Sequence, residues 1–176
     1  MSEAQQGKQA QQQGNEAPQQ PQASFQIEKL YVKDLSLEIP NAPQVFTEQA
    51  QPQLEVQINT GAAKFAEAYY EVSVSATVTA KTGERTLFLV EAVQAGIFSV
   101  RNVPQEELGP LLGIACPTIL FPYLREAISD LIIRGGFPPV LLSPISFEAL
   151  YMQRLQQQAA SEPKMQGSDP KIELAR

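Results

Sequence analysis

The chain has 176 residues, 43% of them hydrophobic and 18% charged, with a formal net charge of −6, one cysteine and no histidine. That length and apolar fraction support a single domain with a buried core. An acidic balance with a pI near 4.7 speaks against nucleic-acid binding, which needs clustered Lys and Arg, and the lack of histidine removes Ser-His-Asp and Cys-His pairs and the commonest zinc ligand.

Residues 1–24, MSEAQQGKQAQQQGNEAPQQPQAS, are rich in Gln with hardly any apolar side chain, so a disordered tail is expected there. The start has neither the basic region nor the apolar run of a secretory signal. No apolar run reaches the roughly 20 residues of a membrane span, and Cys116 without a disulfide partner fits a reducing compartment. A soluble, cytoplasmic protein without direct membrane insertion is therefore expected. From Phe25 to Ile39, Phe25, Ile27, Tyr31, Leu35, Leu37 and Ile39 alternate with Gln26, Glu28, Asp34, Ser36 and Glu38, as in a half-buried strand with an acidic outer face. Leu30 and Val32 interrupt the polar face and point to a bulge or a second contact. Pro40, Pro43 and Pro52 then argue against a helix or a central strand, leaving a long, stiff crossing connection.

Leu54, Val56 and Ile58 alternate with Glu55, Gln57 and Asn59 in a short second strand, and Tyr70 to Ala80 alternate in a long third one. Lys81-Thr82-Gly83-Glu84 makes a hairpin turn in which Gly83 takes positive φ. Thr86 to Val93 returns antiparallel, apolar on both faces except at Glu91, and Ala95-Gly96-Ile97-Phe98 is expected to end it. A short acidic-start helical turn after Asn102-Val103-Pro104 leads into Leu108–Pro139, the most apolar stretch. Within it Leu120, Leu124, Ala127, Ile128, Leu131 and Ile132 recur at helical spacing, with Ile119, Tyr123 and Ile133 widening the stripe. Asp130 and Arg134 make a favourable i, i+4 pair. Pro117 suits a first turn, Pro122 should kink or divide the helix, and Gly135-Gly136 before Pro138-Pro139 is a stop. Ser146 can cap a second helix with the stripe Phe147, Leu150, Tyr151 and Leu155. Strands followed by helices indicate an α+β fold, a four-stranded antiparallel sheet with a long and a shorter helix on one face. The apolar excess of the long helix predicts that Leu120, Leu124, Ile128, Leu131 and Ile132 pack against a copy in another subunit.

Motifs for chemistry are sparse. No Gly-x-x-x-x-Gly-Lys-[Ser/Thr] or Gly-x-Gly-x-x-Gly loop occurs, so no nucleotide is implied and no cofactor or metal is expected. Cys116, beside Pro117 in an apolar run, reads as a packing residue rather than a nucleophile. Asp34 and Glu38 lie roughly 13 Å apart along one strand face, too far for a glycosidase pair, and read as a solvated face or a docking surface.

Four strings in order, FQIEKLYVKDLSLEIPNAPQVF, AGIFSV, CPTILFPYLREAISDLIIRGGFPP and SFEALYMQRLQQQA, closely resemble the SecB family of bacterial protein-export chaperones. The likeness spans about Phe25 to Gln158, which sets the domain at 25–158 and leaves 159–176 as a flexible tail. It implies a homotetramer, a dimer of dimers with helices sandwiched between outer sheets. It also implies a holdase, not an enzyme, that works without ATP, keeps secretory precursors unfolded and delivers them to the translocase motor SecA. Family docking positions for SecA's basic, zinc-containing tail match Asp34, Glu38 and Glu91, with Ile58 adjoining. Those bordering the client groove match Phe46, Leu54, Val56, Leu150, Tyr151 and Leu155. The chain departs from the family where a loop tryptophan is usual, at Ala50, which predicts a shallower groove. Ala95 replaces the first glycine of a pair, and Lys164, Lys171 and Arg176 stand in a tail that is usually acidic. Two rival readings are an oligomeric adaptor without holdase activity and a small-molecule or enzymatic domain using Glu91 in an apolar pocket. An abnormally titrating Glu91 would mark the second rival, and ATP-free suppression of aggregation separates holdase from adaptor.

Overall fold

The computed structural model describes residues 22–47 and 51–161. The expectations for the Gln-rich tail before residue 22, for Ala50, and for the tail bearing Lys164, Lys171 and Arg176 lie outside the described residues. Strands β1 (Ser24–Glu38), β2 (Gln53–Ala66), β3 (Tyr69–Thr82) and β4 (Arg85–Arg101) precede α1 (Gln105–Pro110), a π-helical turn (Leu111–Ala115), α2 (Cys116–Arg134) and α3 (Phe147–Ser161). All strand pairs are antiparallel in the order β1-β4-β3-β2. The Pro-rich connection after β1 therefore crosses the whole sheet to its opposite edge. Among the described residues it contains one 3-10 turn, Gln44–Thr47, which anchors through buried Val45.

Alternation along β3 sends Val72, Val74, Ala76, Val78 and Ala80 to one face, where all five are buried. Leu120, Leu124, Ile128 and Ile132, spaced four apart on α2, meet that face and are at most 1% exposed. This corrects the subunit-interface assignment for those four residues. The helix stripe is covered by the chain's own sheet, leaving no surface for a partner, and Leu131 is only half-buried. Tyr123 and Ile133, 51% and 52% exposed, lie on the opposite side. The 30 helical residues Gln105–Arg134 are long and apolar enough to cross a membrane by length and composition, unlike the expectation from unbroken apolar runs. The buried side of α2 nevertheless lies on the sheet.

Several local signals hold. Gly83 has φ +61° in the β3–β4 turn, and Asp130 pairs with Arg134 at 2.6 Å. The Ser146 hydroxyl accepts the Ala149 N–H at 3.2 Å. Gly136 at φ +86° ends α2, its N–H donating to the Ile133 carbonyl while Phe137 N–H donates to that of Ile132, a Schellman stop. Other signals mislead. Pro122 neither divides nor ends α2, because it is on the exposed side, where water can take the carbonyl it leaves free. The irregularity comes earlier, in the π turn, where Cys116 N–H reaches back to the Leu111 carbonyl. β4 does not end at Ala95–Phe98 but runs to Arg101, with Ala95 fully buried. β2 continues to Ala66 and turns through Ala68 at φ +61°, a conformation no Gly announces. Two bulges in β1, between Ile27 and Lys29 and between Val32 and Asp34, bring Leu30 and Val32 to the helix side and move Tyr31 to the outer face.

Because Ile128 is fully buried between α2 and the sheet, Ile128→Ala should lower unfolding free energy by about 2–5 kcal/mol. Urea denaturation followed by circular dichroism checks this.

Candidate functional site

Covering β3 and β4 with α2 leaves the helix side of β2 partly bare. At one end the crossing loop and the α2–α3 linker border a cavity of about 520 Å³ lined by Val45, Phe46, Leu54, Phe88, Phe137 and Val140. Phe137 is its hub, with ring centroids 5.2 Å from Phe46 and 4.8 Å from Phe88. The apolar track continues along β2 through Leu54 and Val56. Phe46, Leu54 and Val56 are 51%, 46% and 43% exposed, high for such side chains, and Leu155 is 43% exposed. Next on the same face come Ile58 and Thr60, half-buried.

α3 is held at three points. Phe147 is buried edge-on against Phe121 at 5.6 Å. Tyr151 lies over Gly109 and Gly113, where a Cβ would come within 2.6 Å and 2.5 Å of its ring or hydroxyl; glycines one helical turn apart thus make its seat. Arg154 donates to the Thr60 carbonyl at 3.0 Å and hydroxyl at 2.6 Å. Of the six residues expected at the groove, Phe46 and Leu54 share the aromatic cavity, Val56 extends it, and Leu155 is exposed on α3. Leu150 and Tyr151 are half-buried, the latter occupied with the glycine seat.

The outer face of the sheet is different in kind. The register pairs Asp34 with Val93, Ser36 with Glu91 and Glu38 with Leu89. Asp34 and Glu38 are therefore diagonal neighbours of Glu91, roughly 7–8 Å away in such a ladder. All three carboxylates are exposed and make no ion pair among the described residues, whereas Lys33 and Lys81 are paired with Glu71 and Glu55. The register corrects the placement of Ile58, which pairs with Ala76 and faces the helices, on the other side of the sheet from this triad. Beside Val93, the apolar residue among the carboxylates is Leu89. Its signal was present, since residues two apart on a strand share a face with Glu91. Glu91 lies open on the outer face, so the reading of an acid in an apolar pocket falls.

On the same outer face the Tyr31 hydroxyl and Lys33 both donate to Glu71, the latter at 2.8 Å. Lys33 first and Tyr31 second hold the Glu71 carboxyl below its ordinary value, while donation to that carboxylate pushes the Tyr31 phenol up. Cys116 is fully buried, and burial pushes its thiol up to about 12, so at neutral pH it is a packing residue.

A bare apolar groove on one face and an acidic triad on the other are thus two separate surfaces that the protomer leaves open. The profile of SecB, described as preprotein translocase subunit SecB, matches residues 18–158. The protein-export protein SecB of Dechloromonas aromatica is 58% identical over 143 residues, covering 81% of this chain and 94% of that one. That of Neisseria meningitidis serogroup B is 56% identical over 140 residues, covering 79% and 95%. The fold is similar to the Mycobacterium tuberculosis SecB-like chaperone solved with a peptide from an antitoxin, with a TM-score of 0.59 at 19% identity over 69% of this chain and 91% of that one. The chain belongs to the SecB family, and its role is that of a chaperone in protein export.

The lowered Glu71 pKa sets an acid-side prediction. A depressed carboxylate contributes stability above the ordinary glutamate value of 4.5 and loses it as pH falls through the folded-state value. The melting temperature of the parent chain should exceed that of Glu71→Gln near neutrality, and the gap should close below about pH 4. Thermal melts of both proteins across pH 3 to 7, a range of roughly four units around that value, check it.

Proposed function

We propose that this protein is an ATP-independent holdase that binds unfolded secretory precursors in the groove formed by Phe46, Leu54, Val56 and Leu155, with Leu150 and Tyr151 supporting its far end. The observation that carries this is the row of exposed apolar side chains continuing from the aromatic cavity along β2. An unfolded client offers apolar side chains on an extended backbone, which a Phe-lined groove can bind without reading a sequence. Repeated grooves in an oligomer hold successive segments of one client at high effective concentration, so a long unfolded chain competes better than a short peptide.

The outer triad supports delivery to SecA. A basic tail is attracted to Asp34, Glu38 and Glu91, with Leu89 offering an apolar contact between them, while Ile58 belongs to the client side. The assembly proposed is a homotetramer, a dimer of dimers, in the cytoplasm. Its contacts would use what the protomer leaves bare, namely Tyr123 and Ile133 on α2, half-buried Leu131, Leu141 of the linker, and Ile27, Val32 and Leu35 on the helix side of β1. Ile133 is 52% and Leu141 74% exposed, and covering several such side chains contributes roughly 1.5–3 kcal/mol each.

Two tests separate these roles. Asp34→Lys with Glu38→Lys should abolish SecA binding at low salt, where exposed charges act furthest, and leave suppression of client aggregation intact; titration with SecA beside a light-scattering assay decides. Unchanged SecA affinity would overturn the docking surface. Ile133→Asp should lower the mass in solution without unfolding the protomer, as read by light scattering and circular dichroism, because it buries an unpaired charge only in the assembly. An unchanged mass would remove Ile133 from the interface.

A further inference from the structure

The exposed track on β2 has a definite end. Leu54, Val56, Ile58 and Thr60 share one face by alternation, pairing with Ala80, Val78, Ala76 and Val74. Leu54 and Val56 are exposed, Ile58 and Thr60 are half-buried, and Ala62, next on that face, is exposed again. Ile58 packs against the hydrophobic core, and beyond it the guanidinium of Arg154 reaches from α3 to both the carbonyl and the hydroxyl of Thr60. A charged group held by two hydrogen bonds across an apolar track is a barrier, since an apolar segment continuing past it would have to break those bonds or strand the charge. From Leu54 to Thr60 is roughly 20 Å, the length of about six extended residues.

The helix carrying Arg154 is secured unevenly. Its first turn is buried through Phe147, and Tyr151 is keyed into the Gly109–Gly113 seat. Beyond Tyr151, Met152 and Leu155 are exposed, and the tie to Thr60 is a polar contact that joins the second half of α3 to β2. Breaking that tie loosens the second half of α3 from β2 while the first stays fixed.

We infer that Arg154 is a specificity-determining residue that sets the length of the bound client segment by closing the β2 track at Thr60. This rests on the client-groove reading above. Segments of about six residues fill the track up to the barrier; longer ones gain further contacts only when the Arg154–Thr60 tie opens. Tyr151 then acts as the pin about which α3 yields rather than as a primary client contact.

The test uses the full chain and two fluorescein-labelled peptides of Leu, Val, Phe and Ser, about six and about twelve residues long, with affinity read by fluorescence anisotropy. Arg154→Ala should raise the affinity ratio of the long to the short peptide roughly ten-fold, the scale of a charge-assisted hydrogen bond. Thr60→Val, which removes the hydroxyl acceptor and keeps the carbonyl, should shift the ratio in the same direction by less. Amide exchange in the second half of α3 should quicken in both variants and stay slow around Phe147. Leu54→Ser serves as the control for the groove. If it weakens both peptides while the ratio stays at the parent value in Arg154→Ala and Thr60→Val, the barrier is overturned and the groove stands. If it weakens neither peptide, the groove reading fails and takes the barrier with it.

Discussion

One helix cannot cover a four-stranded sheet, and the apolar surface left bare on this protomer is a consequence of that mismatch. Edge strands in such a sheet are roughly 15 Å apart, whereas a helix with its side chains is about 10–12 Å across. α2 settles over β3 and β4, the two central strands, and seals their apolar face with Leu120, Leu124, Ile128 and Ile132. The apolar residues of the edge strands face the same way but receive only partial cover. On β2 these are Leu54 and Val56; on β1 they are Ile27, Val32 and Leu35. A protein selected only for a closed core would have polar residues there. Their retention at 39–49% exposure supports roles in contact with other chains.

Sheet geometry also insulates one task from another. Alternate residues of a strand point to opposite faces, so Glu38 and Leu37 are chain neighbours yet belong to different surfaces. In the function proposed, the acidic triad meets a charged partner through long-range attraction, while the groove on the reverse side takes up clients by burial of apolar surface. Because the forces differ, salt weakens the first much more than the second. On that proposal, a chaperone that holds a client and presents it to a motor benefits from the separation, since contact with one partner need not displace the other.

The Pro-rich crossing connection links these features physically. It must traverse the whole sheet because β1 and β2 occupy opposite edges, and in doing so it delivers Phe46 to the ring of Phe137 beyond the end of α2. The glycine stop of α2 matters here: Gly136 in the left-handed region turns the chain back, and the absence of a side chain there leaves room for the Phe46 ring. The end of the core helix and one wall of the groove are thus the same piece of structure.

Much of this was legible from the residues alone. Period-two alternation marked the strands, Gly83 marked the hairpin, Gly135-Gly136 and Ser146 marked the helix ends, and the family strings marked the role. These are local signals, carried by backbone sterics and nearest-neighbour chemistry. What the sequence left open concerned facing and partnership. The stripe on α2 announced that something must cover it, but periodicity cannot say whether the cover is another subunit or the chain's own sheet; tertiary packing chose the sheet. Alternation places Tyr31 inward, but the bulge between Ile27 and Lys29 reverses it, because an extra residue in a strand flips the side chains that follow, and the second bulge restores the pattern from Asp34 on. Ile58 was grouped with the outer acids by resemblance, and only the strand register set it among the helices and put Leu89 in its place. The turn at Ala68 and the Arg154–Thr60 tie, between residues 94 apart, had no local signal at all. Side-chain type and spacing determine which surfaces need partners, and the pairing of distant strands decides which partner each surface meets.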